Sequence, residues 1–247
     1  MEYDFSTPIT KDVTLNALYK EISFDPSVTS FENIRKAMQT GNPKPFYDIG
    51  RTVDDTYDGW NIKWTLVHYG EATLASNNKV SGAFFMCSHW LRLASSMTTY
   101  ENSPVYKTLH PTLGASGSVY SLLSQQVKDA ASTIQVKCWD NGNQFNYPEA
   151  SFWVPGCTEI MCVGSAVDGE QWDYFKQAIP TPTDNATPSR VRAPYNGSGG
   201  SIYWLRQSYS TSTSWYVGTG GGSSYTTVSS QYGVVPCFFM AAYEENK

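Results

Sequence analysis

The first clear helical pattern along the chain lies at residues 31–40. Four apolar residues there are three or four positions apart, so they would share one face of a helix. Ser30 precedes this pattern as an N-cap, and Gly41 follows it as a helix end. The spacing therefore predicts an amphipathic helix with a buried face made of Phe31, Ile34, Ala37 and Met38.

Alternation of apolar and polar residues then predicts strands. Residues 61–69 place every second side chain on one apolar side, and residues 83–87 form a short apolar run. Two further strands are predicted at residues 201–206 and 214–217. In the strand predicted at residues 61–69, the apolar side consists of Ile62, Trp64, Leu66 and His68.

The middle of the chain combines both kinds of pattern. Pro104 suits the first position of a helix. The longest helical pattern runs from Val119 to Ile134, and a strand is predicted at residues 134–139. Residues 155–160 predict a turn into a brief helix. Strands interspersed with helices predict an α+β fold of short strands, at least two helices and much loop.

Composition narrows the classes of function. Charged residues are 16% of the chain and the formal net charge is −5, so there is no basic surface for a polyanion and nucleic acid is not expected as a partner. No apolar run approaches the length of a membrane span, so membrane insertion is not expected either. Aromatic residues, in contrast, reach 15%, and aromatic rings are common in recognition surfaces.

Cysteine and histidine do not form a catalytic or metal-binding pattern. The five cysteines are far apart, and Cys157 and Cys162 have no third thiol or histidine nearby in sequence, which favours structural packing. The three histidines are each isolated. We therefore expect no enzyme activity, no metal and no cofactor.

Two polar motifs resemble known sites only superficially. Residues 139–143 (Trp-Asp-Asn-Gly-Asn) have an incomplete set of oxygen ligands for Ca²⁺, so a turn is expected. Residues 218–222 (Gly-Thr-Gly-Gly-Gly) have no following Lys-Ser or Lys-Thr, so a hairpin tip is expected rather than a phosphate loop.

One segment has an unusual composition. Residues 195–233 contain ten Ser, five Thr, eight Gly, six Tyr and two Trp, and Arg206 is their only charged residue. Tyrosine, tryptophan and small polar residues together are typical of antibody-type binding surfaces. Within this segment Trp204 is expected in the core, and Arg206 is expected to be an internal tether.

Several phrases resemble an uncharacterised C-terminal domain of bacterial surface proteins and their phages, classed as a domain of unknown function. They lie at residues 34–50, 152–164, 203–206 (Tyr-Trp-Leu-Arg) and 233–236 (Gly-Val-Val-Pro). The arrangement is similar in turn to the C-type-lectin-like fold of formylglycine-generating enzymes and of variable proteins that retroelements diversify. In those proteins too, a Gly-Gly-Ser strand, here residues 199–201, precedes the ligand-facing region.

The start of the chain has a separate resemblance. Residues 3–15 resemble the closing strand of the internalin-type B-repeat, a small β-grasp module of surface proteins. This resemblance implies that residues 1–22 are the tail of an upstream repeat or a linker, and that residues 23–247 form one ligand-binding domain.

Together these observations lead to a functional hypothesis. The resemblance implies a non-enzymatic variable protein on a phage tail fibre or bacterial surface, with a protein or glycan receptor on a cell surface and an oligomeric state set by the parent fibre. The alternatives are a structural trimerisation or capping module and, third, an oxidase relative of formylglycine-generating enzymes. Tyr209, Trp215, Tyr216 and Tyr225 are expected to be rigid anchors on one surface. The full expected ligand-binding set is Tyr195, Asn196, Tyr203, Ser208, Tyr209, Ser210, Thr211, Ser212, Ser214, Trp215, Tyr216, Thr219, Ser223, Ser224 and Tyr225.

Overall fold

The computed structural model describes residues 22–96, 99–140, 144–186, 191–192 and 202–243. The α+β class is confirmed, because short helices accompany four small antiparallel or mixed sheets. The expected B-repeat remnant and strand within residues 1–20 lie outside the described residues. No helix among the described residues is long and apolar enough to span a membrane.

The helices are short. They are α1 (Phe31–Gln39), α2 (Pro104–Leu109), α3 (Val119–Leu122), α4 (Gln125–Ala130) and α5 (Asp173–Ala178), with one 3₁₀ turn at Tyr100–Asn102. The prediction for α1 is confirmed, since the Ser30 side chain accepts a hydrogen bond from the Asn33 N–H and all four expected apolar residues are buried. Pro104 likewise begins α2.

The expected long helix at residues 119–134 is wrong. Leu123 leaves helical geometry, and the Ser124 hydroxyl accepts from the Val127 N–H as the N-cap of a separate helix, α4. Serine competes for the backbone in this way, which is why it favours caps over helix interiors. The brief helix expected within residues 155–160 is also absent, because residues 157–161 form a turn.

The thirteen described strands form two main sheets and two small pairs. They are β1 (Thr52–Tyr57), β2 (Trp60–Thr73), β3 (Lys79–Cys87), β4 (Arg92–Ala94), β5 (Ile134–Gln135), β6 (Cys138–Asp140), β7 (Gln144–Asn146), β8 (Glu149–Ala150), β9 (Tyr203–Ser208), β10 (Thr213–Val217), β11 (Ser223–Thr227), β12 (Tyr232–Val234) and β13 (Cys237–Ala241). One main sheet has the order β1-β2-β3-β13, and the other has the order β11-β10-β9-β12-β4.

Aromatic rings fill the core beside the first sheet. The Phe85 and Phe238 rings of neighbouring strands stack with their centroids 4.9 Å apart. Phe31 of α1 meets both rings edge-on, and Trp64 of β2 packs against Phe238. This cluster explains why α1 lies on the first sheet: its apolar face covers these rings.

The second sheet carries the tyrosine-rich segment. Strand β9 lies between β10 and β12, whereas β11 is at the sheet edge. Residues 218–222 connect β10 to β11 and close with a hydrogen bond from the Gly218 N–H to the Gly222 oxygen, so the expected hairpin tip is confirmed. Strands β6 and β7 pair across residues 141–143, which themselves lie outside the described residues.

Candidate ligand-binding face

Three of the expected anchor residues meet in one aromatic cluster. The Tyr209 and Tyr225 rings are stacked, with centroids 3.6 Å apart and planes 4° apart. Trp215 meets both rings edge-on at 5.7 Å. Register explains the arrangement, because Trp215 of β10 is directly opposite Tyr225 of β11 and opposite residues share a face. We call Tyr209, Trp215 and Tyr225 the tyrosine stack.

The two tyrosines of the stack face solvent, whereas Trp215 is buried beneath them, so the expectation that Trp215 contacts a ligand is wrong and its role is support. Tyr209 and Tyr225 are 46% and 45% exposed, whereas Trp215 is only 6% exposed. The Trp215 indole N–H donates to the Ser165 hydroxyl at 2.9 Å, which fixes the ring under the pair. A hydrogen bond with the Tyr225 hydroxyl raises the pKa of Tyr209, so the Tyr209 phenol remains a neutral donor and acceptor at neutral pH.

The fourth expected anchor, Tyr216, belongs to a different face, so the expectation of one surface with four anchors is wrong. Its ring packs against Tyr232 at 5.0 Å, and Tyr232 packs against Trp204 at 4.8 Å. Successive residues of a strand point to opposite sides. Tyr216 therefore faces away from its neighbour Trp215.

Four other expected contact residues are buried and require correction. Tyr203 is completely buried, and Ser208 and Ser214 are 2% and 1% exposed. These residues lie where β9 and β10 pair in the sheet interior, so both sides of the strands are covered. Ser223 is 9% exposed, and its hydroxyl donates to the Asp184 carboxylate at 2.6 Å. It supports the hairpin, and its hydroxyl hydrogen is already used within the domain.

The remaining expected polar contacts lie on the surface. These residues surround the hairpin at its two ends and along its outer strand: Ser210, Thr211, Ser212, Thr219 and Ser224. The Ser210 and Thr213 hydroxyls are 2.7 Å apart and close the turn between β9 and β10. Tyr195 and Asn196 lie outside the described residues.

Two residues missed by sequence reasoning hold the β10–β11 hairpin on the scaffold. Arg192 is fully buried. Its guanidinium donates to the carbonyl oxygens of Gly221 in the hairpin and of Ile160 and Met161 in the neighbouring turn. Asp184 accepts from the Ser223 N–H through its carbonyl and from the Val163 N–H through its carboxylate. These contacts come from irregular segments, which give no periodic signal.

Arg206 is an internal tether, as expected. Its guanidinium forms a paired hydrogen bond with the two Glu159 carboxylate oxygens at 2.6 and 2.9 Å. It also donates to the carbonyl oxygens of Lys137, Val154 and Asp168. All of its donor nitrogens are therefore used inside the molecule, and it is not available to a ligand. Trp204 is likewise completely buried, and its indole N–H donates to the Ala94 oxygen at 2.7 Å.

The cysteines are buried free thiols. Burial raises the pKa of the Cys87 thiol to about 12 and of the Cys162 thiol to about 11. It also raises the pKa of the other three thiols well above the usual value. Thiols in this state are poor nucleophiles at neutral pH. Within the described ranges, no group of three or more His, Cys, Asp or Glu residues could hold a metal ion.

The comparisons with known proteins give one match. No curated protein and no solved structure matches the chain. A family model does match: the family is described as a domain of unknown function (DUF6273), and the match covers residues 88–242. That range is more than half of the chain and includes the tyrosine stack, Arg206 and the hairpin supports. The chain therefore belongs to the DUF6273 family.

Proposed function

We propose that this domain is a non-enzymatic receptor-binding module that holds its ligand on the tyrosine stack. The observation that carries the proposal is the exposed pair of stacked rings, Tyr209 and Tyr225, supported by a nearly buried Trp215. Aromatic rings held in this way offer a large contact area with few torsions to fix on binding. Unlike the single exposed rings elsewhere in the domain, such as Trp60, these two rings form a continuous aromatic surface.

The surroundings of the stack support a neutral contact surface. From residue 207 to residue 243 the chain has no charged side chain. Ser210, Thr211 and Ser212 follow Tyr209 directly in the turn and can supply hydrogen bonds without charge. A ligand on this face would therefore be recognised by shape, stacking and hydrogen bonding, with little dependence on ionic strength.

The face is also ordered before any ligand arrives. Arg192 and Asp184 hold the tip and the start of β11 through buried hydrogen bonds. Ser165 holds Trp215 in the same way. Binding then fixes few additional torsions, which favours affinity.

Several features support binding over catalysis. The thiols are buried and their pKa values are raised, and the Arg206 donors are committed to the scaffold. A module of this kind requires no metal or redox cofactor. Chelation should accordingly leave its melting temperature unchanged, and a stoichiometric transition metal in elemental analysis would contradict this part of the proposal.

The finer identity that we propose is a variable protein of C-type-lectin-like fold, displayed on a phage tail fibre or bacterial surface and diversified by a retroelement. Its support is the resemblance at residues 199–206 and 233–236, together with the tyrosine- and serine-rich composition between them. A near-copy of the 3′ end of the gene beside a reverse transcriptase gene would confirm diversification. A gene neighbourhood without these two elements would contradict it.

The binding proposal is tested by removing the stack. We expect the wild-type domain to bind at least one member of a printed glycan array or of a panel of intact bacterial cells, and the Tyr209→Ala/Tyr225→Ala variant to lose that binding. Tyr147→Ala removes another exposed tyrosine outside the face, 54% exposed, and should retain it. Binding by the double variant that equals that of the wild type would reject the proposal. Concentration-dependent trimers of the wild type that only the double variant abolishes would also reject it, in favour of an assembly role.

A further inference from the structure

A second concave site lies at the opposite edge of the tyrosine-bearing sheet. It has a volume of about 430 Å³, within the range of small-molecule pockets. Strand β4, helix α2 and the loop at residues 113–118 form its walls. Its lining includes Arg92, Leu93, Lys107, Thr108, Leu113 and Ser118. We call it the basic cavity.

The charge of the basic cavity is opposite to that of the chain. Its charged lining residues are Arg92 and Lys107, although the chain has a formal net charge of −5. Within the described ranges, neither side chain forms an ion pair with a carboxylate. Arg92 uses one of its donors on the Gly117 oxygen, which leaves further guanidinium donors for a ligand. The cavity therefore has two positive charges that the scaffold does not neutralise.

Neutral donors complete the lining. Thr108 and Ser118 accept from the N–H groups of Val119 and Ser121, so each hydroxyl hydrogen is still available to donate. The backbone N–H groups of residues 114–117 have no acceptor in the part of the chain that the structure describes. Of these residues, Gly114, Ala115 and Ser116 line the cavity, so their N–H groups are not committed to the scaffold there.

The rim adds an apolar contact. Leu93 and Leu113 are 53% and 52% exposed on the two sides of the cavity. Isolated exposed leucines are common, but here the pair faces a site that already has cations and hydroxyls. Such a rim can contact the carbon skeleton of a ligand whose polar groups reach the interior.

We propose that the basic cavity binds a small hydroxylated carboxylic acid of about the size of a monosaccharide. The carboxylate lies between Arg92 and Lys107, the hydroxyls meet Thr108 and Ser118, and the carbon skeleton contacts the leucine rim. This site is independent of the tyrosine stack. The domain would therefore have an uncharged recognition site at one edge of the sheet and a site for anions at the other edge.

The test compares glucuronate with glucose by isothermal titration of the full chain. The two sugars differ mainly in the carboxylate, so glucuronate should bind at least about tenfold more tightly, as expected for one charge-assisted contact. Lys107→Gln should remove about that factor, and Lys107→Arg should retain most of the affinity. Added salt should weaken glucuronate binding.

Lys44→Gln is the matched control, because Lys44 is also exposed but lies far from the cavity in sequence and does not line it. It should leave glucuronate binding unchanged. The proposal is rejected if glucuronate and glucose bind equally, if neither binds at millimolar concentration, or if Lys107→Gln and Lys44→Gln behave alike. Because Lys107 is exposed on α2, its substitution should not affect folding, which the melting temperature will verify.

Discussion

Strands β9 and β11 both contain tyrosine but lie in different environments. Tyr203 and Trp204 of β9 are completely buried, while Tyr225 of β11 is 45% exposed. The difference follows from position in the sheet, because β9 has a neighbour on each side and β11 is the edge. Aromatic content alone therefore does not distinguish a core from a recognition face. What distinguishes them here is whether the strand has a neighbouring strand on both sides or on one side only.

The largest expected effect is a loss of folding stability at alkaline pH, because high pH favours ionisation of thiols that are buried in the folded domain. Burial places the pKa of all five thiols above the usual 9.0, so stability is complete below pH 9 and falls as pH rises towards the folded-state values. At about pH 10 the thiols of the unfolded chain are largely ionised while burial keeps those of the folded domain protonated, so the free energy of unfolding should fall by several kcal/mol in total.

The urea midpoint, measured in reducing buffer at about pH 8 and about pH 10, checks this effect. Cys162→Ala removes one titrating thiol and should lessen the fall by about 1.4 kcal/mol. A midpoint that does not change between the two pH values would show that the thiols are accessible.

The second test removes the tether of β9. Arg206→Met leaves the buried Glu159 carboxylate without its partner and should lower the free energy of unfolding by about 3–5 kcal/mol. Adding Glu159→Leu removes one of the two buried carboxylates that face Arg206, the other being Asp168, so the double variant should recover part of the loss and be more stable than the single one. Denaturant titration of both variants measures this, and a loss below about 1 kcal/mol for Arg206→Met would contradict the tether role.

The third test concerns the core tryptophan of β9. Trp204→Ala should cost about 3–5 kcal/mol of stability, because it leaves a cavity and removes the hydrogen bond to Ala94. The melting temperature and denaturant midpoint should fall together. A variant nearly as stable as the wild type would place Trp204 outside the core, contrary to its complete burial.

The smallest effect is expected in the tyrosine stack. Tyr209→Ala should lower stability by only about 1–2 kcal/mol, because the half-exposed ring makes two aromatic contacts, with Tyr225 and Trp215. The same denaturant titration applies. A cost as large as that of Trp204→Ala would mean that the stack is a structural element, and the contrast between β9 and the hairpin would disappear.

Local patterns in the sequence predicted part of this architecture. The Ser30 cap and the alternation over Ile62, Trp64 and Leu66 required only neighbouring residues, and both predictions are confirmed. The expected place of His68 on the same side is wrong, because an irregularity between Leu66 and His68 shifts the register there. The opposite directions of Trp215 and Tyr216 also follow from strand alternation, although composition suggested a single surface. In contrast, Leu123 is part of an apolar pattern that continues past it, and only the local cap at Ser124 divides the helix.

The supports of the face were beyond sequence reasoning. Ser165, Asp184 and Arg192 are 20 or more positions from the hairpin residues that they bind. They lie in irregular segments, where no period relates one residue to the next. The basic cavity was equally hidden, because Arg92 and Lys107 are brought together by the β4 edge and α2 and are isolated in sequence.

The position of β13 has a consequence for synthesis on the ribosome. Its five residues, Cys237–Ala241, are all buried and pair with β3 from residue 241↔82 to 237↔86. Contacts of such long sequence separation form late and slowly. The core beside the first sheet cannot form fully until β13 has left the exit tunnel, so the nascent domain exposes apolar surface until then. Chaperones that bind nascent chains would meet the domain in that state.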